Sequence, residues 1–218
     1  MNHFHVNAIN IPDAWFQLCY NIFEEGIKYK IDRGSFEGSE RLEYPSVSVQ
    51  INLPGIDPLI PEFPAWMNVP PPVSQEYLEK YFHQLMYEET NENCSYTYAH
   101  YLRPQIDKII RILKDAPQTN QCCATIGDMN SIDLADPPCM KTVHFKIIEK
   151  RLAMYLYFRS NDLYSAWACN VAGMQLVKEW MADEIGVVDG PIFYYGSGLH
   201  LYDYQYEIVK QRTMKNEM

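Results

Sequence analysis

The thiol of Cys139 stands in a short segment whose residue types suit a nucleophile. Two prolines precede it in the sequence Asp136-Pro137-Pro138-Cys139, and they fix the backbone and end the preceding element. An alternating stretch begins three residues later, so we expect the thiol to be held rigidly at the mouth of a strand. Such a thiol could attack an electrophilic carbon, whereas a single cysteine is more often a buried structural residue. These four residues alone leave both interpretations open.

A second polar segment, RSND at positions 159–162, follows another alternating stretch. A guanidinium and a hydroxyl together suit a phosphate group, because arginine offers a fixed fork of donors. An arginine close to Cys139 would also stabilise the thiolate. The other interpretation is a surface hairpin end, where Arg159 and Asp162 simply face water.

A third segment, GLHLYDY at positions 198–204, follows a glycine-rich turn. The side chains of His200 and Tyr202 would share one face if the chain is extended there and would diverge if it is helical. The alternative to a functional role is a packed polar cluster.

Apolar residues at helical spacing predict the helices that position these segments. The predicted helices cover residues 14–28, 75–86, 104–114, 171–185 and 201–210. Pro104 stands at the start of its predicted helix, and Gly186 is predicted to end another in a left-handed conformation.

Alternating apolar residues predict the strands. The predicted strands cover residues 46–53, 122–126, 142–148, 151–158 and 192–195. Glu149-Lys150 is predicted to be a hairpin turn, and residues 54–73 an irregular proline-rich excursion that buries Ile60, Phe63 and Trp66. Strands mixed with helices, without a βαβ rhythm, indicate an α+β fold.

Composition limits the classes of function. The chain has 218 residues and a formal net charge of −10, which fits one domain over 1–218 and disfavours a nucleic acid polymer as partner. A few local arginines can still bind a single nucleotide. No CxxC pair suggests zinc, no apolar run approaches about 18 residues, and no signal peptide is recognisable. We therefore expect no metal, no membrane association and a cytoplasmic protein with reduced thiols.

Taken together, these segments resemble the thymidylate synthase family, which includes related pyrimidine nucleotide hydroxymethylases. The resemblance rests on PPC at 137–139, RSND at 159–162, Asn170 and HLY at 200–202, separated by intervals of 20, 11 and 30 residues between Cys139, Arg159, Asn170 and His200. The rest of the chain is most similar to the short archaeal-type branch, as in DRGSFEG at 32–38, RLEYPSVSV at 41–49 and TNQ at 119–121. The resemblance covers nearly the whole chain and is strongest after about residue 118.

The resemblance implies a fold and an assembly. The fold is thymidylate synthase-like, with a mixed sheet packed against helices. Members of the family are homodimers paired through sheet faces, and a twofold dimer is also the commonest assembly in general.

The resemblance also implies catalytic roles. Cys139 matches the thiolate that adds to C6 of the pyrimidine, which turns C5 into a carbon nucleophile that captures the methylene of a reduced folate. Tyr98 matches the tyrosine near the nucleophile, and Arg159 matches an arginine that binds phosphate beside it. Glu62 matches the proton-relay glutamate, by spacing only.

Binding roles follow in the same way. Arg33, Arg159 and Ser160 match phosphate-binding residues. His200 and Tyr202 match the groups that hold the sugar hydroxyl. Asp162 is expected to bind the pterin ring of the co-substrate, 5,10-methylene-tetrahydrofolate or a related reduced pterin.

Asn170 matches the amide that reads the edge of the base. An amide offers a donor and an acceptor, so it can pair with O4 and N3–H of uracil. Relatives that hydroxymethylate cytosine nucleotides carry a carboxylate at this position. Asn170 therefore favours a uracil base.

Four departures from the family pattern bear on the reaction. Met140 replaces the usual histidine after the nucleophile, and Thr119 and Asn120 replace the arginine pair that reaches the partner's phosphate. Trp167 is expected to reshape the pocket beside the base. The sequence ends in MKNEM, and from this we expect no hydrophobic tail of the kind that closes over folate and excludes water.

Three hypotheses follow. The first is methylation of dUMP to dTMP by methylene-tetrahydrofolate. The second is a hydroxymethylase of dUMP, dCMP or CMP, in which water traps the methylene intermediate. The third, ranked lowest because Cys139 and Arg159 are both present, is a non-catalytic nucleotide-binding homologue.

Overall fold

The computed structural model describes residues 2–34, 36–67, 71–88 and 96–215. The end of the MKNEM segment, residues 216–218, lies outside the described residues. Helices and strands are mixed along the chain, which confirms the α+β prediction.

Five α-helices are present among the described residues. They are α1 (Ile11–Glu25), α2 (Gln75–Tyr87), α3 (Tyr98–Asp115), α4 (Ala166–Ile185) and α5 (Tyr206–Thr213). Gly186 follows α4 with φ of 85°, so the predicted left-handed cap is confirmed.

The described strands number ten. They are β1 (Phe4–Ala8), β2 (Ile27–Lys30), β3 (Glu40–Tyr44), β4 (Val47–Ile51), β5 (Cys123–Thr125), β6 (Met140–Ile148), β7 (Arg151–Phe158), β8 (Asn161–Asp162), β9 (Val188–Gly196) and β10 (Leu199–Tyr202). Glu149 and Lys150 both have positive φ, which confirms the tight turn between β6 and β7.

The strands form two sheets. A mixed six-stranded sheet has the order β1-β4-β9-β7-β6-β5, and a smaller sheet has the order β2-β3-β10-β8. Because β8 follows β7 and β10 follows β9 along the chain, the small sheet begins where two central strands of the large sheet end. Residues at this junction come from both sheets.

One face of the six-stranded sheet is covered by helices. Helix α1 contacts β1 and β4, α3 contacts β5 and β6, and α4 contacts β7 and β9, while α2 packs on α3 and α4. The buried side chains of the strands, such as Val49, Leu156 and Tyr194, point to this side.

The opposite face, which we call the open face, carries the alternate side chains of the same strands. Paired positions form two rows across the sheet. One row contains Gln50, Phe193, Tyr155 and His144, and the other contains Ser48, Tyr195, Tyr157 and Thr142. Tyr155 stacks on Phe193 at 4.8 Å between ring centroids. No described residue range forms a helix over this face.

Two predicted boundaries are wrong in ways that affect the site. Helix α3 begins at Tyr98 rather than near Pro104, because the hydroxyl of Thr97 accepts a hydrogen bond from the backbone N–H of His100 and caps the helix there. The helix predicted over 201–210 begins only at Tyr206. Leu201 and Tyr202 pair with β3 instead, and Asp203–Gln205 form a short 3-10 helix.

The proline-rich excursion is confirmed in part. Ile60 is buried, and Phe63 packs edge-on against Trp15 and Phe16. Trp66 is 71% exposed, so its predicted burial is wrong.

Candidate active site

A cavity of about 780 Å³ lies at the junction of the two sheets. Cys139, Arg159, Asn170 and His200 all line it, although they come from four separate parts of the chain. The other sequence-predicted residues that line it are Arg33, Tyr98, Ser160, Asp162 and Tyr202.

Glu62 is the one sequence-predicted site residue that does not line this cavity. It is exposed, and its neighbour Phe63 packs against α1. The structure therefore does not bring this carboxylate to the thiol.

Cys139 immediately precedes β6, and its position is set by the pairing of β6 with β7. Its carbonyl oxygen accepts a hydrogen bond of 2.9 Å from the backbone N–H of Arg159. The next residue, Met140, donates its backbone N–H to the hydroxyl oxygen of Tyr98 at 3.3 Å. The thiol is half-buried and is not part of a disulfide.

The guanidinium of Arg159 holds the double-proline segment in front of the thiol. Its Nε donates to the carbonyl oxygen of Pro138 at 3.1 Å, and its Nη2 donates to that of Pro137. Nη2 also lies 3.6 Å from a carboxylate oxygen of Asp136. Arginine has about five N–H donors, so donors remain for a ligand in the cavity.

Charge and burial act against each other at the thiol. Burial raises the pKa of Cys139 above its ordinary value, Arg159 and Lys141 lower it, and Asp136 raises it. Because the burial effect is the largest, the pKa of Cys139 is raised overall. The expected stabilisation of the thiolate by Arg159 compensates for the effect of burial only in part. Burial also raises the pKa of Tyr98 to about 12, so this hydroxyl keeps its proton at neutral pH.

Asn170 lies in the second turn of α4, and both ends of its amide are bonded. Its Oδ1 accepts a hydrogen bond of 2.5 Å from the hydroxyl of Tyr81, on α2. Its Nδ2 donates to Oδ1 of Asn161 at 3.1 Å. Asn161 is almost fully buried at the start of β8.

His200 and Tyr202 lie on β10, so their side chains share one face as an extended chain requires. Nδ1 of His200 lies 2.9 Å from the carbonyl oxygen of Gly198 and must donate to it. Burial lowers the pKa of His200, so the ring is neutral at pH 7. Its Nε2 is then an acceptor, and it has no hydrogen-bond partner among the described residues.

Asp162 is held in place by the start of α4 and by a side chain near α5. Its carboxylate accepts hydrogen bonds from the backbone N–H of Tyr164 at 2.9 Å and from the hydroxyl of Ser165 at 2.8 Å. Nε2 of Gln205 lies 3.1 Å from both carboxylate oxygens. The carboxylate is thus fixed in orientation at the cavity wall.

Two further cations line the cavity and were not predicted. Arg41 lies on β3 directly opposite Tyr202, and Lys141 is two residues after Cys139 on β6. Lys141 lies at an irregularity of β6 between Met140 and Thr142, so the simple alternation of a strand does not predict the direction of its side chain. The position of Arg41 at the cavity follows only from the pairing of β3 with β10.

Three of the departures from the family pattern lie among the described residues. Met140 and Trp167 are buried in the core and do not line the cavity, so the side chain of Trp167 is not part of the pocket wall. Trp167 packs edge-on against Tyr194 instead. Thr119 and Asn120 lie between α3 and β5, away from the cavity.

A second cavity of about 450 Å³ adjoins the first. It is lined by residues of α2 and α4, among them Tyr77, Tyr81 and Cys169. Ala166 and Asn170 line both cavities and form a shared wall.

None of the described helices is long and apolar enough to cross a membrane. Over the described part of the chain, no group of three or more His, Cys, Asp or Glu side chains is placed to hold a metal ion.

Comparisons with known proteins found similar proteins over most of the chain. A family model described as thymidylate synthase matches residues 76–218. Over 94% of its length the chain is 30% identical to the protein named "Putative thymidylate synthase" of Methanosarcina mazei, 92% of which is covered. A protein of the same name from Methanothermobacter marburgensis is 26% identical over 98% of this chain and 99% of its own length. The thymidylate synthase of Vesicomyosocius okutanii is 27% identical over 51% of this chain and 44% of its own.

Proposed function

The chain belongs to the thymidylate synthase family of methyltransferases, and from this premise we propose that it transfers the one-carbon unit of 5,10-methylene-tetrahydrofolate to C5 of dUMP. One observation carries the proposal. The same cavity is lined by a thiol, an arginine suited to a phosphate, an amide suited to the edge of a base, and a neutral imidazole that can accept a hydrogen bond. Each of these groups has a task in the same reaction.

Binding comes first. Arg33, Arg41 and Arg159 bind the phosphate, and Ser160 adds a hydroxyl donor. Nε2 of His200 accepts a hydrogen bond from the sugar hydroxyl, beside Tyr202. These contacts use local cations within a chain of net charge −10.

Covalent chemistry follows at C6. The thiolate of Cys139 adds to C6, and the electron pair moves to C5 and O4 as an enolate. C5 then attacks the methylene carbon of the folate, and the bond from that carbon to N10 breaks. C5 loses its proton to water, the bond from the same carbon to N5 breaks, and an exocyclic methylene group remains on C5. Hydride transfer from tetrahydrofolate completes the methyl group and expels the thiolate, which leaves dihydrofolate. Tyr98 and Arg159 hold the segment that carries the thiol.

The pterin is proposed to lie against Asp162, whose fixed carboxylate can accept N–H donors of the ring. The adjoining cavity of about 450 Å³ leaves room for the remainder of the folate. We also propose a single domain over 1–218 that acts as a cytoplasmic homodimer, without a metal and without binding to nucleic acid polymers or membranes.

Product analysis tests the proposal. The purified protein is incubated with methylene-tetrahydrofolate and dUMP, dCMP or CMP, and the products are identified by mass. Thymidylate plus dihydrofolate is expected from dUMP. A hydroxymethyl nucleotide plus tetrahydrofolate would show instead that water traps the intermediate.

Two variants assign the nucleophile. Cys139→Ser should lower the rate by about 1,000-fold or more, because an alcohol is a much weaker nucleophile. Cys123→Ser, at an exposed thiol outside the cavity, is the matched control. With 5-fluoro-dUMP and the folate, wild type should form a covalent adduct on Cys139. Absence of both adduct and product would leave only a nucleotide-binding role and refute the proposal.

A further inference from the structure

The amide of Asn170 is held from outside the nucleotide cavity by Tyr81. The two side chains meet at 2.5 Å, and Tyr81 belongs to α2, an element to which the sequence gives no chemical role. Burial raises the pKa of Tyr81 well above its ordinary value, so its hydroxyl keeps the proton and can donate it to Oδ1 of Asn170.

The position of the Tyr81 ring depends on a glycine of α4. Gly173 is three residues after Asn170 on α4, so both lie on the same side of that helix. A Cβ atom at position 173 would lie 2.8 Å from Cδ1 of Tyr81 and 3.0 Å from Cδ1 of Leu85. The ring of Tyr81 therefore packs directly on the backbone of α4, and this contact brings its hydroxyl to the amide.

The hydrogen-bond capacity left on Asn170 matches one base. A side-chain amide has two N–H donors on nitrogen and two lone pairs on oxygen. Tyr81 occupies one lone pair and Asn161 occupies one donor. What remains is one donor beside one acceptor, which complements O4 and N3–H of uracil.

Cytosine needs the reverse arrangement, because its N3 accepts and its exocyclic amine donates. Turning the amide around would place Nδ2 against the hydroxyl of Tyr81 and Oδ1 against Oδ1 of Asn161. In the first contact the hydroxyl of Tyr81 would have to accept from Nδ2, and no other described residue is placed to accept its own proton. The second contact sets two oxygens against each other, unless Asn161 turns as well.

We propose that Tyr81 is a positioning residue that fixes the orientation of the Asn170 amide and so favours uracil over cytosine nucleotides. This inference rests on the proposed function, since it assumes that Asn170 reads a pyrimidine base. It adds a residue on α2 that acts on specificity without touching the nucleotide.

The test compares dissociation constants for dUMP and dCMP, measured by calorimetry, in wild type and in Tyr81→Phe. Loss of one hydrogen bond that orients the amide should reduce the preference for dUMP by about 3- to 10-fold. If the role of Tyr81 is purely structural, the variant should bind both nucleotides more weakly by the same factor, and the ratio of the two dissociation constants should stay unchanged. KM for dUMP should rise in parallel while kcat changes less.

Two further variants complete the design. Tyr87→Phe, on the same helix but 56% exposed, should keep the wild-type ratio. Gly173→Ala should reduce the ratio through displacement of the Tyr81 ring, and it tests the idea if Tyr81→Phe does not fold.

The outcomes separate the two proposals. If a folded Tyr81→Phe protein keeps the wild-type ratio of dissociation constants, the role of Tyr81 is overturned, while dUMP binding by wild type stands. If Tyr81→Phe is unfolded, the same result in Gly173→Ala overturns it. If wild type itself binds neither nucleotide, the proposed function fails, and this inference fails with it.

Discussion

At the scale of single residues, the thiol of Cys139 combines a buried position with neighbours of both charges. Burial outweighs the attraction of Arg159 and Lys141, so the pKa lies above the ordinary range of a thiol. In the free protein the group is therefore mostly protonated at neutral pH.

This electrostatic balance predicts the pH dependence of alkylation. With iodoacetamide and no nucleotide, the midpoint for Cys139 should lie above about 8.5, the value of a free thiol. Removal of a cation in Arg159→Met should move it higher, and removal of a carboxylate in Asp136→Asn should move it lower. Mass spectrometry of the Cys139 peptide gives the rates, and the exposed Cys123 peptide is the internal control. Equal midpoints in both variants would contradict the assignment of these neighbours.

Much of the site at this scale could be predicted from the sequence, because Cys139, Arg159, Asn170 and His200 belong to short motifs at characteristic intervals. Tyr81 and Arg41 could not. Their roles depend on the packing of α2 on α4 and on the pairing of β3 with β10, and neither leaves a local pattern in the sequence. Glu62 shows the opposite failure, since spacing alone assigned a carboxylate that lies away from the thiol.

At the scale of elements, β9 contains a bulge next to β7. Leu152 pairs with Asp189 and Met154 pairs with Ile192, so Gly190 and Pro191 together face the single residue Ala153. The buried amine of Lys178 closes the bulge, because it donates to the carbonyl oxygen of Gly190 and lies 2.9 Å from a carboxylate oxygen of Asp189.

Only glycine fits at position 190. A Cβ atom there would lie 2.6 Å from the carbonyl oxygen of Leu152, which is backbone in the centre of the sheet. Gly190→Ala should therefore lower the free energy of unfolding by at least about 2 kcal/mol. Urea denaturation measures the change. Val188→Ala, on the same strand but 62% exposed, should change it by less than about 0.5 kcal/mol.

Local pattern predicted some elements well and others poorly, for a physical reason. The alternation in β6 and β7 reflects one buried and one open face, so it is visible in the sequence. Residues 199–202 have no such dominant signal, and their pairing with β3 and β8 decides that they form a strand. The sequence pattern also predicts the start of α3 too late. The cap at Thr97 favours an earlier start and outweighs the unfavourable Pro104 within the helix.

At the scale of the whole molecule, the open face of the six-stranded sheet is a surface on which exposed side chains of neighbouring strands lie together. Its two rows set aromatic rings, hydroxyls and amides side by side on adjacent strands. Tyr195 is 47% exposed and Tyr157 is 38% exposed in the middle of this face. A flat surface of this kind can pair with its own copy about a twofold axis.

We therefore expect a homodimer through the open face. Tyr195→Glu would place like charges opposite each other near the axis, in a chain that is already acidic, and should weaken dimerisation by at least about 10-fold. Sedimentation equilibrium measures the constant. Tyr87→Glu, on the exposed side of α2, is the control for added charge. A wild-type protein that stays monomeric at micromolar concentration would rule out this use of the face.

The wall that Ala166 and Asn170 form between the two cavities has a thermodynamic consequence. A ligand that changes how Asn170 sits on one side changes the surface offered to a ligand on the other. Linkage then requires reciprocity: whatever factor the nucleotide contributes to the affinity for the pterin, the pterin must contribute to the affinity for the nucleotide. Two titrations, each performed with and without the other ligand, should return the same coupling constant.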